Sequence, residues 1–305
     1  MVGQRHAAEL TVEAIKKPRP SLLARAVAFS RQKPLGAISA VIIVLFILGA
    51  VLAPLITPYD PLKTNLPQLL KSPSWRHPFG TDELGRDLLT RIIYGGRVSL
   101  YVGFLSVLIG TTIGAVLGLV SGYWQGTADM LIQRVIDTIM AFPSLILALA
   151  LTSILHRSTN STLVVIGIVI IPSAARVVRG ATMTAKQNVY VEAARAIGCS
   201  NLRVLVRHIL PNVVAPIIVV ASVFLGSAII VEASLSFLGV GVPPPTPSWG
   251  SMLSGPGRSK LEVAPWLMLF PALALSAAIF AFNLLGDALR DVLDPRLRGG
   301  GKIRS

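Results

Sequence analysis

The side chains in this sequence that could do chemistry are few, and none falls into the pattern of a catalytic centre. Asp82, Glu83, Arg86 and Asp87 stand close enough to pair with one another or with neighbouring subunits, and Gly80 and Gly85 allow tight turns on either side of them. Glu232 ends a long apolar run. A carboxylate there either lines a path through a membrane, as part of an outer gate, or caps a broken helix. Asp137 can be read as an ion-relay carboxylate, but its neighbour Arg134 favours a salt bridge or a helix cap. His6, His77, His156 and His208 are dispersed along the chain, so they form no local metal-ligating cluster. Cys199 is the only cysteine, which excludes an internal disulfide and a thiolate metal site. The Gly299, Gly300, Gly301, Lys302 run is followed by Ile303 rather than Ser or Thr, so there is no phosphate-binding P-loop. Neither a Gly-x-Ser-x-Gly elbow nor an H-E-x-x-H helix is present. An enzyme reading has little support.

The most organised polar stretch is Val191 to Pro211, flanked on both sides by apolar segments long enough to cross a bilayer. Glu192, Ala193 and Ala194 begin a run of good helix formers, and Gly198, Cys199, Ser200 and Asn201 end one helix and cap the next. Leu202, Leu205, Val206 and Ile209 recur at helical spacing, and Pro211 is expected to break that helix just before the following span. The stretch therefore reads as helix, turn, helix across the mouth of a membrane bundle. The small residues Ala193, Ala194 and Gly198 would admit a second backbone, while Arg195, Arg203 and Arg207 keep the remaining surface basic.

The elements that hold these residues are set by composition. Hydrophobic residues make up 53% of the chain and charged ones only 14%, with a mean hydropathy of +0.69. That is integral membrane usage. The formal charge of +14 is spread over several loops without aromatic interleaving, which argues for membrane topology and against nucleic acid. Residues 1–35 form a basic, proline-containing arm expected to stay in the cytoplasm. The long polar lead before the first apolar run argues against a cleavable signal peptide. Apolar runs then predict six transmembrane helices, near 36–56, 100–122, 134–155, 161–178, 213–231 and 265–285. Tyr123 to Gln133 is expected as a short cytoplasmic turn, Pro172 marks an exit, and Trp249 suits the membrane interface. Gly110, Gly114, Gly118 and Gly122 repeat every four residues, a stripe that lets another helix pack closely. Nineteen of the 28 Lys and Arg residues fall on the proposed cytoplasmic side.

Three strings resemble known ones. Glu192, Ala193, Ala194, Gly198, Leu210 and Pro211 match the EAA motif of ABC importer permeases, with His208 standing where the general motif has Ile. HPFGTDELGRDLLTRIIYGGRVSLYVG and LGDALRDVLDPRLR resemble the dipeptide, oligopeptide and nickel branch. On these residues the chain is similar to the C-type permease subunits of that branch. The resemblance implies an all-α integral membrane protein with the type I importer fold, and a coupling loop at 180–212 that docks on an ATPase. It also implies as partners a homologous B-type permease, two cytoplasmic ATP-binding subunits, an extracytoplasmic substrate-binding protein and membrane lipid. ATP and Mg would be bound by the partner ATPases, with no cofactor on this chain. The implied division is an arm (1–35), a first helix with an extracytoplasmic loop (36–97), a permease core (98–288) and a cytoplasmic tail (289–305). Asp82, Arg86 and Asp87 are then candidates for extracytoplasmic loop contacts. Di- or oligopeptides are the first expectation for cargo, nickel or another small solute the second. An ATPase-independent channel or secondary transporter is the rival of a different class.

Overall fold

A computed structural model describes residues 30–254 and 259–293. Most of the basic arm and the end of the tail lie outside the described residues. The described part is helical, its only bridge of strand type being an isolated pair between Thr81 and Asp87.

The first helix, α1 (Pro34–Val51), starts on a proline, whose missing N–H costs nothing in a first turn. After a short α2 (Ala53–Ile56), an irregular segment leads to α3 (Leu88–Trp124). At 37 residues α3 is about 55 Å long, against a hydrocarbon core of about 30 Å. It begins a dozen residues earlier than the apolar run predicts, because Asp87 caps it, accepting from the Thr90 N–H at 2.8 Å.

The third expected span is not one rod. It consists of α4 (Gly126–Met140) and α5 (Ser144–Ile154), bent by 90° at Pro143. The expected turn at Tyr123 to Gln133 is therefore mostly helix. Helix α6 (Thr159–Lys186) also overruns its expected end, passing through Pro172 for more than three further turns. In this extension Arg176 and Arg179 pair with Asp137 at 2.7 Å and Asp129 at 2.6 Å on α4. Asp137 thus finds Arg176 rather than its chain neighbour Arg134.

The four spaced glycines of α3 lie against α6. A Cβ at Gly114 would stand 2.6 Å from the Ala174 Cβ, one at Gly110 2.7 Å from the Gly167 carbonyl oxygen, and one at Gly122 2.8 Å from that of Arg179. The stripe is thus filled from within the same chain.

Beyond α6 come α7 (Val189–Ala196), α8 (Asn201–Val204), a π-helical turn (Leu205–Ile209) and α9 (Leu210–Phe237). Asn201 to Phe237 runs as one continuous helical span. Pro211 does not break it; it sits in the first turn of α9, where a proline is tolerated. Helix α10 (Trp249–Leu253) is closed by a reciprocal cap of Ser248 and Ser251, and α11 (Trp266–Leu293) completes the bundle. Among the described residues five helices are long and apolar enough to span, six with the bent pair.

Three apolar clusters hold these elements. One joins α1, α3, α10 and α11 around Trp249 and Phe282. A second joins α3, α6 and α9. The third, built on Tyr123, Val178, Val191, Val204 and Ile209, seats α7 and α8 against the ends of α3 and α6. The end of the bundle carrying α7 and α8 is called the loop face here, and the opposite end, with residues 57–87 and α10, the cap face. Lys33 and Asp291 meet at 2.5 Å on the loop face, so the first and last helices start and finish together.

Candidate functional site

At the loop face, helix α7 turns one side inward. Val191 and Ala194 are buried, as are Val204, Leu205 and Ile209 beyond the turn. Ile209 thus fills the packing position next to His208, which stays half exposed while its carbonyl accepts from Asn212 Nδ2 at 2.7 Å. The opposite side is open. Glu192, Ala193, Gly198 and Pro211 are exposed, Leu210 is half-buried, and Val189 and Ile197 show 80% and 81% of their surface. Of the small residues read as a docking surface, Ala193 and Gly198 face outward, whereas Ala194 packs into the bundle. Gly198 has φ +81° and nothing within 4 Å of where a Cβ would lie. The turn is closed by hydrogen bonds from Gly198 N–H to the Arg195 carbonyl at 2.9 Å and from Cys199 N–H to that of Ala194 at 3.0 Å. The result is a rigid base carrying an exposed surface of apolar, acidic and basic side chains.

One residue that the motifs do not single out fastens this surface. Tyr123, 3% exposed at the end of α3, donates from its phenol to Asn201 Oδ1 at 2.8 Å. Arg195 and Lys186 place their cationic groups 5.4 and 5.6 Å from its ring centroid. A tyrosine at the end of an apolar span reads as an interface residue, which hides this use.

The cap face uses its charges in the opposite sense. Asp82 accepts from Arg86 Nε at 2.7 Å and from the backbone N–H groups of Leu84 and Arg86, and lies 3.3 Å from Arg91 Nε. Arg91 also donates to the Pro61 carbonyl at 2.8 Å. Asp87, besides capping α3, binds His77 Nδ1 at 2.9 Å. All of these side chains are buried and form an internal knot, in which Asp82 pairs with Arg86 and Arg91 while Asp87 is taken up by His77 and Thr90.

Glu232 is fully buried in α9, accepting from Ser99 Oγ at 2.9 Å and Ser236 Oγ at 2.7 Å. Ser99 also accepts from the Trp249 backbone N–H at 3.3 Å, so the carboxyl lies at the junction of α3, α9 and α10. Trp249 is not at an interface. It is 1% exposed, donates from Nε1 to the Ile92 carbonyl at 3.0 Å, and packs against Gly96. Among the described residues no group of three or more His, Cys, Asp or Glu side chains could hold a metal.

A helical membrane bundle with a rigid external loop at one end is the architecture of transporter permeases, and comparison with known proteins agrees. Residues 114–299 match the family described as binding-protein-dependent transport system inner membrane component, and residues 21–73 match the N-terminal transmembrane domain of oligopeptide transport permease C. The chain belongs to this family of transport permeases, whose members are not themselves enzymes, and is a multi-pass inner membrane protein.

Within the family, it is 43% identical over 268 residues to the dipeptide transport system permease protein DppC of Alkalihalophilus pseudofirmus, covering 88% of each chain. It is likewise 43% identical to the glutathione transport system permease protein GsiD of Escherichia coli, over 88% of this chain and 89% of that one. A putative peptide transport system permease of Brucella suis is 42% identical over 87% and 88%. Among solved structures, an inward-facing form of the MetNI methionine ABC transporter aligns with TM-score 0.57 at 16% identity, covering 68% of this chain and 98% of that one. That likeness bears out the type I importer permease fold.

Proposed function

We propose that this chain is one of two membrane subunits of an ATP-driven importer that takes di- or oligopeptides from an extracytoplasmic binding protein. The observation that carries this reading is the loop face: a motif with the Glu-Ala-Ala, Gly and Leu-Pro spacing, seated on a buried apolar base and presenting Val189, Glu192, Ile197 and Leu202 outward. A surface that exposes large apolar side chains beside charges on a rigid support suits a protein partner. In this reading the loop (180–212) docks on a cytoplasmic ATP-binding subunit, and both ends of the chain lie in the cytoplasm. A homologous B-type permease completes the path, and ATP and Mg bind the two ATPase subunits alone. The core (98–288) is the moving part, with 36–97 as the first helix and outer loop and 289–305 as the tail. Peptide cargo is supported by the dipeptide and peptide transport permeases among the relatives.

Energetically, docking can drive transport only by differing between inward and outward forms, because a ligand with equal affinity for two states shifts neither. Loaded binding protein and ATP must therefore both favour the outward form. Glu232, being fully buried at a three-helix junction, acts on an outer gate through the helices it joins.

The test is reconstitution of the chain with its second permease, ATPases and binding protein in proteoliposomes. Labelled peptide should enter only with Mg-ATP and binding protein, and Ile197→Glu should abolish co-purification of the ATPase while leaving the permease folded. Uptake that needs no ATP would overturn the reading in favour of a channel or secondary transporter. ATP-dependent uptake of nickel but not peptides would overturn the cargo.

A further inference from the structure

The loop face is joined to the bundle in two physically different ways. Val191, Ala194, Val204, Leu205 and Ile209 make an apolar seat. Apolar burial is non-directional, so the seat holds the helix by packing alone and supplies no directional bond to the rods beneath it. Tyr123 adds direction. Its hydroxyl meets Asn201, the first residue of α8, and its ring lies beside Arg195 of α7 and Lys186 at the end of α6. Lys186 Nζ returns to the Tyr123 carbonyl at 2.8 Å, so the two sides of this contact are held mutually. One buried side chain thus touches α6, α7 and α8 together, from the last turn of a 37-residue rod.

That rod leads to the opposite side. Helix α3 runs unbroken from Tyr123 to Leu88, where Asp87 caps it into the charged knot, and on the way its Ile92 carbonyl accepts from Trp249. A displacement entering at Tyr123 reaches the cap face without crossing a hinge.

We propose that Tyr123 is a positioning residue that transmits movement of the docked loop into α3, through its hydroxyl on Asn201 and its ring beside Arg195. The proposal rests on the importer reading above and goes beyond it by naming the joint. Loss of the hydroxyl leaves the apolar seat and the ring contacts in place, so the loop still docks but its motion slips.

The experiment uses the complete transporter in proteoliposomes, comparing wild type with Tyr123→Phe, Asn201→Ala and the double variant. The readout is labelled peptide taken up per ATP hydrolysed, alongside ATPase co-purification and thermal stability. Each single variant should keep assembly and ATP hydrolysis yet lower uptake per ATP about fivefold, the scale of one net hydrogen bond. The double variant should be no worse than either single, because both remove the same bond. Tyr123→Leu, which also removes the ring, should uncouple further. Wild-type uptake per ATP in both single variants overturns the proposal, as do losses that multiply in the double. A fall in stability and assembly with an unchanged ratio also overturns it, because the residue would then only hold the fold. If wild type itself shows no ATP-dependent uptake, the importer reading fails instead, which the wild-type control shows by itself.

Discussion

The two ends of the bundle each carry charged side chains and use them in opposite ways. At the cap face Asp82, Asp87, Arg86 and Arg91 are buried and satisfied by one another, by His77 and Thr90, and by backbone groups. At the loop face Glu192, Arg195, Arg203 and Arg207 are exposed, with Val189 and Ile197 beside them, and what is buried is apolar. A buried ion cluster is costly to break and forms a fixed block; an exposed mixed surface costs the fold little and is free for a partner. In the importer reading proposed above, the contrast gives stability to one end and partner docking to the other.

Substitutions can break this contrast, and their expected effects on stability fall in order. Asp82→Leu should be the most severe, because Arg86 and Arg91 lose their buried partner. A loss of about 3–5 kcal/mol is expected, seen as failure to recover monodisperse protein in detergent. Gly114→Leu comes next, since its side chain would enter the Ala174 position across the α3–α6 contact. Overpacking of that kind costs about 1–3 kcal/mol and should lower the unfolding temperature of the solubilised chain alone, before any second permease is added. Glu232→Ala should cost about 1–2 kcal/mol by leaving the Ser99 and Ser236 hydroxyls without their acceptor, measurable in the same melt. Ile197→Glu should change stability by less than about 0.5 kcal/mol and yet abolish ATPase association, as scored by pull-down. Should Ile197→Glu unfold the chain, or Asp82→Leu leave it intact, the division between the two ends would be wrong.

Much of this was legible in the sequence, but unevenly. The helical class, the loop motif and the glycine stripe follow from hydropathy and spacing, since each is a local regularity. What the stripe packs against was not, because a period on one helix says nothing about which neighbour fills it; Ala174 and Ala175 on α6 are the complementary small residues. The early start of α3 is hidden by Arg91 and Arg97, which lower the hydropathy of a turn that is helical all the same. The Asp87 and Thr90 spacing was the available signal for that cap. The bend at Pro143 could be read as a mild kink or a sharp corner, and only the pairing of Asp129 and Asp137 with α6 selects the corner. The outer charges were legible as a cluster, but their burial was not, because pairing inward and pairing with a partner leave the same pattern of residue types.

Gly198 carries a consequence of its own. Its φ of +81° belongs to the backbone region closed to ordinary residues, while the space around it is empty. What the position selects is therefore handedness rather than smallness. A D-alanine placed there by semisynthesis should be accepted where L-alanine strains the turn, so the two enantiomers would separate the chain's own need for this residue from a docking partner's need for room.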